Sequence, residues 1–313
     1  MDYVYGYRSV DSRQNVFFNA SGQAVYMTAA LGVILDIPSN IQKFFGGGIV
    51  DNTAKNVAND ENAHTDDITS IAISNDRNLA VSGQVGSAPA AFVWNAKTGE
   101  KKQRFKLAKG ARGINAVAIS SDNKYVACVD LSDTHNIYFF DADSGALIWK
   151  ETGDNKKIFD VAFNFSTGND LTAVTVGTRH IKFWQPLVKD KKGGIFGKAD
   201  QTSFACVTFD TNGVAYTGGA NSILYVWESR ENPKTITGAH KGGFICSVKW
   251  ANGKLYSGGK DGQVSITDTT SLTVEKSITF GNLVRAIDVE GSKALVGLRD
   301  GTIYHVDINS EDK

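Results

Sequence analysis

The feature that most constrains this chain is a period. Alternating apolar runs begin near Ile68, Ile114, Ile158, Phe204, Ile245 and Val284, at offsets of 46, 44, 46, 41 and 39 residues. Two more short runs follow each of them, and the third ends on a related hexapeptide: AFVWNA (91–96), IYFFDA (137–142), IKFWQP (181–186), LYVWES (224–229), VSITDT (264–269) and IYHVDI (303–308). Residues 238–268 show the unit most clearly, with Asn252-Gly253 and Lys260-Asp261-Gly262 as tight turns between strands. Such turns need φ > 0 at central positions, which Asn and Gly tolerate. One unit cannot bury its apolar face alone, so the units must stack. A period of about 40–45 residues, four strands per unit and a Trp-Asp-like close to the third strand describe a WD-repeat β-propeller blade.

A weaker unit at the start has strands at 16–19, 24–28 and 32–36, with 42–45 as a fourth. The expected fold is therefore all-β: a seven-bladed propeller of four-stranded antiparallel blades, one domain over 1–313. Some blades are degenerate. Trp94, Trp184 and Trp227 close the third strand in three units, whereas Phe140, Thr267 and Val306 stand there in others. His64 and His240 occupy the place from which a blade histidine bonds its way to that Trp through a Ser or Thr and an Asp. For His240 the partners are Ser257 and Asp261, and with Thr267 at the end the network should be incomplete. Both histidines read as structural. The aromatic run at residues 3–7 is strand-like, and a ring closes best when one terminus completes the last blade. Pairing of 3–7 with Ile303 to Val306 is one expectation; an apolar plug against a neighbouring domain is the other.

Composition narrows the function. Lys plus Arg equals Asp plus Glu, 33 each, so no net charge drives the chain onto nucleic acid or membrane, and an electrostatic partner must meet a local patch. Cys128, Cys206 and Cys246 lie on expected strands of different blades and read as buried thiols of a reducing compartment. With no long apolar run and no signal-peptide pattern, the expected location is the cytoplasm.

Several motifs resemble one family. DYVYGYR (2–8), AALGV (29–33) and QKFF (42–45) are similar to the hydrophobic motif, about 1–45 here, that opens the propeller region of echinoderm microtubule-associated protein-like (EML) proteins. GQVG (83–86), HIKFW (180–184) and GIFGK (194–198) follow in that family's order. The resemblance implies a non-enzymatic propeller scaffold that binds tubulin or microtubules, located on the cytoskeleton, including cilium or spindle. Family members typically carry two joined propellers; the residues here match the first, as expected of a fragment of a longer protein or of a short family member. Residues 46–63 depart from the pattern as a Gly-, Asn- and Asp-rich insertion, expected to be a mobile surface loop.

The candidate partner-binding residues are Lys189, Lys191, Lys192 and Lys198, with Arg179. Lys189, Lys191 and Lys192 lie on an expected surface turn over 187–194, with Arg179 before it and Lys198 after it. They read either as a solvated loop or as a patch for an acidic partner such as the tubulin tails. Ile195-Phe196 reads as core or as an exposed anchor. Neither catalytic, cofactor nor metal residues are assigned. The Asp141-Ala142-Asp143 turn lacks a distal bidentate Glu, Gly46-Gly47-Gly48 lacks the Lys-Ser/Thr of a phosphate loop, and the histidines follow the blades. Two alternatives stand beside the tubulin reading: a general WD-repeat adaptor, and a propeller enzyme with a central-channel site.

Overall fold

The strands form where apolar residues alternate and stop where the backbone turns left-handed. At 251–254, Ala251 pairs with Lys254 across a two-residue turn in which Asn252 and Gly253 have φ of 53° and 74°, matching the right-handed twist of the hairpin. A computed structural model describes residues 2–47 and 61–310. It is a seven-bladed β-propeller of antiparallel sheets, and its described helical content is a single 3₁₀ turn, Gly168–Asp170.

The chain packs as two compact units, Met1–Asn155 and Lys156–Lys313. The first holds blade 1 (Val16–Phe18, Ala24–Thr28, Leu31–Asp36, Ile41–Phe45), blade 2 (Ile68–Ile73, Leu79–Gln84, Ala90–Asn95, Lys101–Lys106) and blade 3 (Ile114–Ile119, Tyr125–Asp130, Ile137–Asp141, Leu147–Glu151). The second begins with blade 4 (Ile158–Phe163, Ala173–Gly177, His180–Gln185, Asp190–Gly193) and blade 5 (Phe204–Phe209, Ala215–Gly219, Leu224–Trp227, Lys234–Ile236). Blade 6 (Ile245–Ala251, Lys254–Gly259, Gln263–Asp268, Thr273–Thr279) and blade 7 (Val284–Glu290, Lys293–Leu298, Ile303–Asp307) complete it.

In blades 2 to 7 the first strand carries one extra residue against the second, at the same place each time. Phe204 pairs with Gly219 and Cys206 with Gly218, leaving Ala205 outside the ladder; Thr69, Asn115, Phe159, Cys246 and Arg285 hold the equivalent position. Such a bulge bends and twists the strand. Near it, first strands of neighbouring blades are cross-bonded. Thr69 Oγ1 donates to the Ile114 carbonyl at 2.7 Å, the Val207 amide donates to Asp160 Oδ2 at 2.9 Å, and the Ile287 amide donates to Ser247 Oγ at 3.0 Å.

The core lies between blades of one unit. Blades 1 and 2 bury Met27, Ile34, Phe45, Phe92 and Trp94 together, with Trp94 stacked on Phe45 at 5.2 Å. Gly32 makes room for that ring, since a Cβ there would sit 2.6 Å from Trp94. Blades 4 and 5 do the same around Val176, Ile181, Phe204, Tyr225 and Trp227. Cys128, Cys206 and Cys246 are buried, and burial pushes the Cys128 thiol up.

One expectation needs correction. Residues 3–7 do not pair with the last blade. They lie on blade 1, where the Val4 amide donates to Gln42 Oε1 (2.8 Å) and the Val4 carbonyl accepts from Gln42 Nε2 (3.1 Å). Gly6, at φ 113°, ends the extended run, Tyr7 turns inward against Tyr26, and the Arg8 amide bonds the Met27 carbonyl. Tyr5 stays 89% exposed with Tyr3 beside it. Blade 7 consequently has three strands among the described residues, not four. Most of the insertion expected at 46–63 falls outside the described residues.

Candidate partner-binding surface

The histidines decide whether chemistry or packing occupies the entrance to a blade. His64 Nε2 lies 2.7 Å from Ser82 Oγ, and Trp94 Nε1 donates to the same oxygen at 3.0 Å. His64 Nδ1 meets Gln84 Oε1 at 2.8 Å. Burial lowers the His64 pKa to about 4, so the ring is neutral and fully engaged in holding the third strand to the blade entrance. His240 repeats the start of this wiring, with Ser257 Oγ at 2.9 Å and Asp261 Oδ1 at 3.0 Å. Its wiring stops there, and the Thr267 Oγ1 at the end is buried without a partner. Among the described residues, no group of three or more His, Cys, Asp or Glu is arranged to hold a metal ion.

The five candidate cations all belong to blade 4 and its exit, but the structure does not bring them together. The segment expected as an extended turn is shorter than that: residues 186–189 turn, and Asp190–Gly193 forms the outer strand. Lys189 sits in the turn in the left-handed region, φ 56°. Lys191 pairs with Trp184 across the strands and holds its Nζ 5.6 Å from that ring. Lys192 pairs with Phe183, so its side chain leaves on the opposite face, where its Nζ is 3.4 Å from Asp190.

Arg179 lies in the turn before His180–Gln185, at the other end of that strand from Lys189; six residues of strand separate them by roughly 20 Å. Lys198 is on the connection to blade 5, which returns to Arg179: the Arg179 amide donates to Ser203 Oγ at 3.2 Å, and Gln201 Nε2 donates to the Arg179 carbonyl at 2.8 Å. The five cations therefore do not share one patch: Arg179 and Lys189 stand in turns at opposite ends of the third strand, Lys191 and Lys192 leave opposite faces of the outer strand, and Lys198 lies on the connection to blade 5. The side chains of Lys189 and Lys198 have no ion pair or hydrogen bond among the described residues. Ile195 and Phe196 also part: Ile195 is 46% exposed, while Phe196 stacks on Phe204 at 5.9 Å and meets Trp227 edge-on.

Sequence reasoning missed further cations. Lys157 and Lys241 stand 41 residues before and 43 after Lys198, one on each entry to a first strand, and all three are exposed. The Lys157 carbonyl accepts from the Thr178 amide, so its entry meets the turn of Arg179. The blade period, applied to charge as well as to apolar residues, would have found them. Arg230 was missed for a different reason: it lies in the turn between the third and fourth strands of blade 5, with nothing periodic about it.

Comparison with known proteins agrees with this architecture. The family model described as the echinoderm microtubule-associated protein first beta-propeller matches residues 62–306, and the HELP motif matches 1–33. The chain belongs to the echinoderm microtubule-associated protein family. It is 46% identical over its whole length to 44% of the ciliary WD repeat-containing protein ctxp80 of Euplotoides octocarinatus. It is 30% identical, over 84% of the chain, to 38% of the 77 kDa echinoderm microtubule-associated protein of Strongylocentrotus purpuratus. The rat echinoderm microtubule-associated protein-like 1 is 27% identical over 83% of the chain. The chain thus spans less than half the length of these relatives.

Proposed function

We propose that this chain is a non-enzymatic scaffold that associates with microtubules and meets acidic tubulin surfaces through the cations of its second unit. The observation that carries this is the exposed group around blade 4: four lysines against one aspartate over residues 186–198, in a chain whose acids and bases balance. The names of its relatives, microtubule-associated and ciliary, support the partner and a cytoskeletal or ciliary location. A rigid stack of sheets with loops at both ends suits recognition of a large protein surface.

Co-sedimentation with microtubules and binding to soluble tubulin, each at two salt concentrations, test this. Exposed charges act mainly on encounter and are screened by salt, so binding should weaken as salt rises. Changing Lys189, Lys191 and Lys192 together to Glu should reduce binding most at low salt, with only a small drop in melting temperature from the lost Lys191–Trp184 and Lys192–Asp190 contacts. Removing the acidic tubulin tails should mimic that loss without adding to it. The pair Arg179→Glu and Lys198→Glu probes the two remaining cations. If neither set weakens binding to tubulin, the reading fails and a general adaptor role replaces it.

A further inference from the structure

Blade 4 and the turn between the third and fourth strands of blade 5 enclose a cleft of about 290 Å³ lined by Thr172, Phe183, Gln185, Asp190, Lys192 and Arg230. The strand register explains the lining. Gln185 pairs with Asp190 and Phe183 with Lys192, so these four side chains leave the sheet on one face. That face is packed on blade 5, since Phe183 meets Trp227 edge-on at 6.1 Å. Arg230 lines the cleft from blade 5. Its backbone is clipped in place by the segment leaving blade 4: the Ile195 amide donates to the Arg230 carbonyl and the Asn232 amide donates to the Ile195 carbonyl, both at 2.8 Å. The lining thus combines one aromatic ring, one cation from each blade and the Asp190 carboxylate.

We propose that this cleft seats a glutamate side chain of an acidic peptide, with Phe183 against its methylene stem and Lys192 and Arg230 on its carboxylate. The cations now hold Asp190 at 3.4 Å and Glu231 at 2.5 Å, but both carboxylates belong to well-exposed side chains. Exposed pairs of this kind contribute little and exchange readily. A carboxylate that meets two cations beside an aromatic ring is attracted by both, and Arg can bind it with two parallel hydrogen bonds. The volume is just below the range of small-molecule sites, about 300–1,000 Å³, which suits one or two side chains. The surroundings favour a peptide over a nucleic acid. The turn before Asp190 exposes Val188 (55%), and the clip exposes Ile195 (46%), apolar surface that a phosphate backbone would leave uncovered. The site deepens the microtubule reading and rests on it only for the identity of the partner.

Fluorescence anisotropy of a labelled Glu-rich octapeptide against the full chain tests this, with a Gln-for-Glu peptide and an RNA oligonucleotide as competitors. The double variant Lys192→Gln/Arg230→Gln should weaken Glu-peptide binding about tenfold or more at low salt. Glu231→Gln, which releases Arg230, should tighten it, and Lys109→Gln in the other unit should leave it unchanged. Melting temperatures of the variants are measured alongside. Equal binding of the Gln peptide, stronger binding of the RNA, or an unaffected double variant would overturn the proposal. Microtubule co-sedimentation in parallel separates the two readings. Peptide binding lost in the double variant while the parent ignores microtubules would sustain the cleft and sink the microtubule reading; microtubule binding with no response of the peptide to the variants would do the reverse.

Discussion

Blades 2 and 6 start from the same wiring and end differently. In blade 2 the bond from His64 passes through Ser82 to Trp94, and the indole stacks on Phe45 of blade 1. In blade 6 the bond from His240 reaches Ser257 and stops, because Thr267 stands in the place of the indole. The registers show how the lost volume is recovered. Trp94 lies opposite Ala80, Trp184 opposite Ala173 and Trp227 opposite Ala215, whereas Thr267 lies opposite Leu255. Around it blades 5 and 6 pack Leu224, Ile236, Val248 and Leu255, with few rings. A large residue and a small one have exchanged sides of the ladder. The blade keeps its packing and loses one hydrogen bond.

That comparison can be broken most sharply at Trp94. Trp94→Ala should cost about 3–5 kcal/mol, from lost transfer energy and the cavity beside Phe45. Thr267→Ala should cost clearly less in the same urea titration; equal losses would mean that the two positions are not equivalent. Next in size is pH. The unfolded chain protonates His64 near its ordinary value of 6.5, while the folded chain resists until about pH 4. The contribution is thus complete above about pH 6.5 and is lost as pH falls toward 4, a change of about 3 kcal/mol. Denaturation series from pH 7 to pH 4 should show this slope, and His64→Asn should flatten it.

Smaller effects refine the volume argument. Thr267→Trp alone should overpack blade 6 and cost about 1–3 kcal/mol, and adding Leu255→Ala should return most of that. A double-mutant cycle without coupling would refute the exchange of volumes across the ladder. The smallest effect belongs to Thr267→Val, which removes a buried hydroxyl without a partner and keeps the shape. It should raise stability by about 1 kcal/mol in the same titrations.

The period, the Asn-Gly turn and the His-Ser-Trp wiring were legible in the sequence because each is local or repeats. The outer strand of blade 4 was not. Residues 190–193, Asp-Lys-Lys-Gly, bury nothing, so no alternation marks them as a strand. Residues 3–7 misled in the opposite sense. Their alternate tyrosines imitate a strand, yet one side chain, Gln42, satisfies the Val4 backbone and removes the need for an edge. For the candidate surface, adjacency in sequence concealed the hairpin that sends Arg179 and Lys189 to opposite ends of a strand. Arg230 and Lys192, 38 residues apart in the chain, line one cleft because of a parallel contact between Ile195 and Glu231 that no periodicity signals.

The extra residue in each first strand bears on changes in chain length. Deleting one residue from a plain strand moves every side chain beyond it to the other face. Ala205 has no partner in the ladder, and its loss would leave Phe204 opposite Gly219 and Cys206 opposite Gly218. The same holds for Thr69 between Ile68 and Ser70. In six blades the strand register would thus survive a single-residue deletion at this point, although at Thr69 the bond to the Ile114 carbonyl would go with it.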